Sequence, residues 1–165
     1  MNERINIREI DNTAKKLQAS SHFINFYTLF TSTLPYFYQM KHIVEANRYL
    51  DNSKEILSTK AQKEEGYYRD SKYIKMAGNT AYNGVLVALD GLLGVKKKGR
   101  KSVEWYKEEL GKLDKKILYS FSSAYETLHL SMGYDGLPNA KIADEGLEEA
   151  KRIINWVAMK QEQVV

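Results

Sequence analysis

The chain has 165 residues, 43% of them apolar and 28% charged, which is ordinary globular composition and enough length for one domain to bury its own core. It contains no cysteine, so disulfide frameworks, thiolate zinc sites, iron–sulfur clusters and thiol nucleophiles are all excluded. The net charge of +4 is unevenly placed: residues 94–120 hold nine basic and four acidic side chains, and the rest of the chain is close to neutral.

Met1–Leu17 carries Glu3, Arg4, Arg8, Glu9, Asp11, Lys15 and Lys16 with no apolar run, which does not read as a secretory signal, so a cytoplasmic protein is expected. Ile10, Ala14 and Leu17 give this stretch one amphipathic helical face. From Leu17 to Met40 there is no Asp, Glu, Lys or Arg, but Gln18, Asn25, Thr28, Ser32, Pro35 and Gln39 interrupt it. A membrane span needs about 20 mostly apolar residues, so the expectation is no membrane and a surface-covering or dimer-forming aromatic segment.

Pro35 and Pro138 are the only prolines, which suits a helical array between them. Over 42–60, Ile43, Ala46, Leu50 and Leu57 lie on one helical stripe. A longer helix is predicted over 67–93, with Ile74, Ala77, Ala81, Gly84, Val85, Ala88, Gly91 and Leu92 on a small-residue face suited to close helix packing. Lys72, Asn79, Asn83 and Asp90 fall opposite, which reads Asp90 as a solvated residue.

Gly94–Lys101 reads as a basic loop, and Ser102 as the N-cap of a helix through Leu110, followed by a turn at Gly111–Asp114. Residues 115–132 form the next predicted helix, with Ile117, Phe121, Ala124 and Leu128 along its core stripe. Glu126 is its only charge after Lys116, so a central position or a partner's cover is expected for it. Gly133–Asn139 is rich in turn residues, and a last helix over about 140–160 buries Ile142, Ala150, Ile153, Ile154 and Val157. The prediction is an all-α, up-down bundle of four to five helices over about 41–160, with an N-terminal helical and aromatic extension within a single domain.

Few side chains carry recognisable chemistry. Glu126 and His129 make one Glu-x-x-His pair, read as lying on one helix face. Helical di-iron sites use two such pairs and two further glutamates, so no metal and no cofactor is expected. The default for His129 is a hydrogen-bonded histidine in a core or interface; Glu126 and Tyr134 are its neighbours in a candidate catalytic set. Lys96, Lys97, Lys98, Arg100 and Lys101 are candidates for anion or nucleic-acid binding, against the simpler reading of a solvated turn.

From Arg48 onward the order of features resembles the HEPN superfamily, small helical domains named for nucleotide binding in higher eukaryotes and prokaryotes. The likeness is carried by Tyr49-Leu50-Asp51-Asn52-Ser53-Lys54-Glu55-Ile56-Leu57, then Tyr73-Ile74-Lys75-Met76-Ala77, Ala81-Tyr82 and Ala88-Leu89. Leu128-His129, Tyr134-Asp135 and Glu149-Ala150-Lys151 continue it. The resemblance covers about 42–160. It implies a homodimeric bundle found in toxin–antitoxin and RNA-targeting systems, with RNA or a nucleotidyltransferase-type protein as partner. Ribonuclease members carry Arg, four to six residues, then His; His129 matches that histidine, but Ser122, Ser123 and Ala124 occupy the arginine positions. A non-catalytic binding module is therefore expected. The alternatives are an RNA-processing or metal-dependent enzyme using His129, and a purely structural dimerisation bundle.

Overall fold

Helix follows from where the apolar side chains recur. In the computed structural model, which describes residues 41–94 and 101–163, the first helix (α1) runs over 41–59. It buries Ala46, Leu50 and Leu57 as the periodicity requires, together with Ser53, whose hydroxyl donates to the carbonyl of Ala77 at 2.8 Å. The expectations for residues 1–40, and for Lys96, Lys97, Lys98 and Arg100, lie outside the described residues.

The helix predicted from residue 67 starts instead at Ser71 (α2, Ser71–Leu93), where the Asp70 side chain accepts from the amide of Lys72. Before it, Lys63–Glu64 (β1) and Tyr67–Tyr68 (β2) pair as a small antiparallel hairpin. Its two turn residues, Glu65 and Gly66, both have positive φ, as a tight primed turn demands. Glu-Gly is a weaker signal than Asn-Gly or Asp-Gly, and two-residue strands leave no alternation to read. The hairpin ties down a distant loop: Tyr68 N–H donates to the Pro138 carbonyl and Ala140 N–H to the Gly66 carbonyl.

The small-residue face of α2 does what the sequence predicts. A β-carbon on Gly84 would stand 2.9 Å from the Ala46 carbonyl oxygen, so α1 and α2 approach backbone to backbone there. Ser102 caps α3 (Val103–Leu113) by accepting from the Trp105 amide, as expected, but α3 continues to Leu113 instead of turning at Gly111. Asp114 alone joins α3 to α4 (Lys115–Ala124): its N–H closes α3 and its carboxylate accepts from the amides of Lys116 and Ile117.

After Ala124 the rod continues without a break as a π-helix, Tyr125–Asp135, which absorbs the first three residues of the predicted 133–139 loop. Gly136 ends it in the left-handed conformation, and α5 (Ala140–Glu162) follows, capped by the Asn139 side chain. The π-helix lies against α2 and α5, and α5 also packs on α4. Phe121, Leu128, Met132, Ile153 and Ile154 fill the core between them. The expected all-α bundle is what the chain forms, and no helix among the described residues is long and apolar enough to cross a membrane.

Candidate functional site

Two glycines let the π-helix approach its neighbours. A β-carbon on Gly78 would stand 2.5 Å from the Leu128 carbonyl oxygen and 2.6 Å from the Met132 β-carbon; one on Gly146 of α5 would meet Thr127 Oγ1 at 2.7 Å. Asn79 of α2 then clamps the segment, donating to the Gly133 carbonyl at 3.1 Å and to its own helix at Lys75. The wider winding shows in a side chain: Ser131 Oγ donates to the Glu126 carbonyl, five residues back. Single π turns recur at functional sites because they re-aim side chains.

Here the re-aiming separates the three catalytic candidates. Glu126 and Tyr134 face solvent, Tyr134 with 75% of its surface exposed, while His129 turns inward toward α2. The expectation that Glu126 and His129 share one face fails because three residues no longer complete a turn once hydrogen bonds span five. His129 stacks on Tyr82 with ring centroids 4.9 Å apart and lies 5.4 Å from the Tyr125 ring. Its Nδ1 is buried and makes no hydrogen bond among the described residues, and its ring is held by stacking.

His129 forms one wall of a pocket of about 250 Å³, completed mainly by Asn79, Asn83, Lys101, Ser102 and Tyr106. The side of α2 that reads as solvated, with Asn79, Asn83 and Asp90 at helical spacing, is thus the side that carries the site. Asp90 corrects the sequence reading most sharply: its Oδ1 accepts from Lys101 Nζ and from the Tyr106 hydroxyl, both at 2.6 Å. Lys101 is the one described member of the basic loop set, and it does not project into solvent. Its side chain is only 6% exposed, with Nζ 4.7 Å from the centre of the Trp105 ring. Burial, and then the hydrogen bond to Asp90, push the Tyr106 hydroxyl far above its ordinary range, so it remains a neutral donor.

The pocket therefore presents amides, hydroxyls, stacked rings and a lysine already neutralised by Asp90. That set can bind a polar ligand, and among the described residues its one acid–base pair, Asp90 with Lys101, is closed on itself. Among the described residues no three His, Asp or Glu side chains converge as a metal site would need. Tyr82, Asn83 and Tyr106 were missed because each alone reads as packing or solvated surface; their joint stripe with Asn79 and Asp90 along α2 and α3 was the available signal.

Residues 41–159 match the family described as "Domain of unknown function (DUF5618)", and the chain belongs to that family. A solved protein of unknown function from Dyadobacter fermentans is similar over 98% of its own chain and 74% of this one, with 50% sequence identity and a TM-score of 0.70. No curated protein matches the chain.

Proposed function

We propose that this protein is a HEPN-like helical module that binds and does not catalyse. Its partner would be a nucleotidyltransferase-type protein or RNA, within a toxin–antitoxin kind of system. The same reading makes it cytoplasmic and homodimeric. One observation carries it: the π-helix turns His129 into a pocket while leaving Glu126 and Tyr134 outside, so the candidate catalytic set is not assembled. The sequence adds a second reason. Ser122, Ser123 and Ala124 stand where the ribonuclease pattern has its arginine, and none can stabilise charge on a phosphorane-like transition state.

The test is a cleavage assay on a structured RNA, comparing the protein with His129→Ala, alongside light scattering. The expected result is no cleavage above background by either protein, and a dimer in solution. Cleavage that disappears with His129→Ala would replace this reading with the enzyme. A monomer at every usable concentration would remove the dimeric module.

A further inference from the structure

The basic excess between residues 94 and 120 does not all remain available in the fold. Lys101 pairs with Asp90, Lys112 Nζ reaches Glu108 and Glu109 at 3.0 and 2.9 Å, and Lys107 Nζ rests 5.5 Å from the centre of the Tyr125 ring. Lys115 and Lys116 are different. Both are exposed, and neither makes an ion pair or a ring contact among the described residues. They occupy the first turn of α4, where the positive end of the helix dipole disfavours cations, so stability of the helix does not account for them.

Tyr119 follows one turn later on the same face, at i+4 from Lys115 and i+3 from Lys116, with 74% of its surface in solvent. Arg152 of α5 faces them. It is 60% exposed, and only its Nη1 donates to the Glu149 carboxylate; unlike the single ammonium of Lys112, held by two carboxylates, it keeps Nε and Nη2 donors without a hydrogen bond among the described residues. With buried Ser120 as the floor, these residues line an open groove of about 550 Å³.

We propose that this groove binds a single-stranded polynucleotide, with Lys115, Lys116 and Arg152 on successive phosphates and Tyr119 stacked on a base. The pairing of an exposed flat ring with cations one turn away is what sequence-tolerant single-strand binding requires. An acidic peptide would use the cations and leave the ring idle. A duplex keeps its bases stacked away from Tyr119. The inference rests on the RNA form of the binding-module reading and shares no lining residue with the His129 pocket, so RNA binding that survives changes at Lys115, Lys116 and Arg152 would sink the groove and leave that reading standing.

Fluorescence anisotropy of the full chain with labelled oligo(U), oligo(dT) and a duplex, each of about 12 nucleotides, tests it. Two or three phosphate contacts give a slope of about −1.4 to −2.1 in log affinity against log salt, so a fourfold rise in salt weakens binding about 7- to 18-fold. Lys115→Gln, Lys116→Gln and Arg152→Gln together should bring the slope near zero; each lysine change alone should lower it by about 0.7. Tyr119→Ala should cost about 5- to 150-fold in affinity at unchanged slope, and Tyr119→Phe should bind like the parent. Circular dichroism confirms that each variant is folded. This pattern with either oligonucleotide supports the site, and the tighter of the two identifies the preferred sugar. No binding at low salt, equal binding of the duplex, or a slope kept by the triple variant and lost on changing Lys96, Lys97, Lys98 and Arg100 would overturn it.

Discussion

Lys101 Nζ stands 2.6 Å from Asp90 Oδ1, in a side chain almost wholly removed from water. A lysine withdrawn from solvent is stable as a cation only if a partner replaces its hydration. Asp90 is that partner, Trp105 and Tyr106 cover the ammonium, and the start of α3 is fastened to the end of α2.

Asp90→Asn should therefore destabilise the fold by about 1–3 kcal/mol. This is less than the 3–5 kcal/mol of a fully buried pair, because the Asp90 side chain is 37% exposed. Adding Lys101→Met to Asp90→Asn should restore much of the loss, since no charge is then left unpaired. Urea unfolding with an unchanged denaturant slope reads both. A single Asp90→Asn within about 0.5 kcal/mol of the parent would mean that water already serves the ammonium.

The Tyr106 hydroxyl is held above the ordinary tyrosine value of 10.0, first by burial and then by its bond to Asp90. Above pH 10 the unfolded chain releases this proton while the folded chain keeps it. The unfolded state then binds fewer protons, so stability falls as pH rises from about 10. Tyr106→Phe should flatten that fall, leaving the parts due to Tyr68, raised by burial and by Asp144, and to Lys112, raised by Glu109 and Glu108. Unfolding curves at stepped pH decide it, and identical alkaline slopes in the two proteins would contradict the assignment.

Two glycines in helices should respond in opposite directions to alanine. Gly78→Ala places a methyl against the Leu128 carbonyl and Met132, and overpacking of that kind costs about 1–3 kcal/mol even against a gain in helix propensity. At Gly111 the nearest atom to a β-carbon is Leu118 Cδ2 at 3.5 Å, an ordinary contact. Gly111→Ala should then stabilise by about 0.5–1 kcal/mol. Thermal melts compare the pair, and a stabilised Gly78→Ala would show that the π-helix can move away from α2.

His129→Phe keeps a ring between Tyr82 and Tyr125 and removes a buried nitrogen that has no hydrogen bond. It should leave stability unchanged or raise it by up to about 1 kcal/mol, since an unsatisfied buried polar atom costs about 1–3 kcal/mol. His129→Ala should cost about 1–3 kcal/mol through the lost stacking and the void. If Phe proved worse than Ala, Nδ1 would have to be serving the fold through a hydrogen bond.

The sequence by itself determined what neighbours along the chain decide. Ala46, Leu50 and Leu57 recur at the helical period, Ser102 carries a hydroxyl ready for the Trp105 amide, and the small residues of α2 leave room for α1. Each of these is set by side chains one or two turns apart along a single segment, so each was legible. The site depended on relations that no local pattern encodes. Asp90 and Lys101 are eleven positions apart in the chain, and only the fold brings the carboxylate under the ammonium. The π winding that parts Glu126 from His129 arises where Gly78, Asn79 and Gly146 close on the segment from two other helices. The Glu65–Gly66 turn is held in register by Pro138 and Ala140, about seventy residues onward in the chain. Propensity chose helix for this chain; packing between distant segments chose which side chains the pocket would hold, because burial and hydrogen-bond satisfaction are settled only where those segments meet.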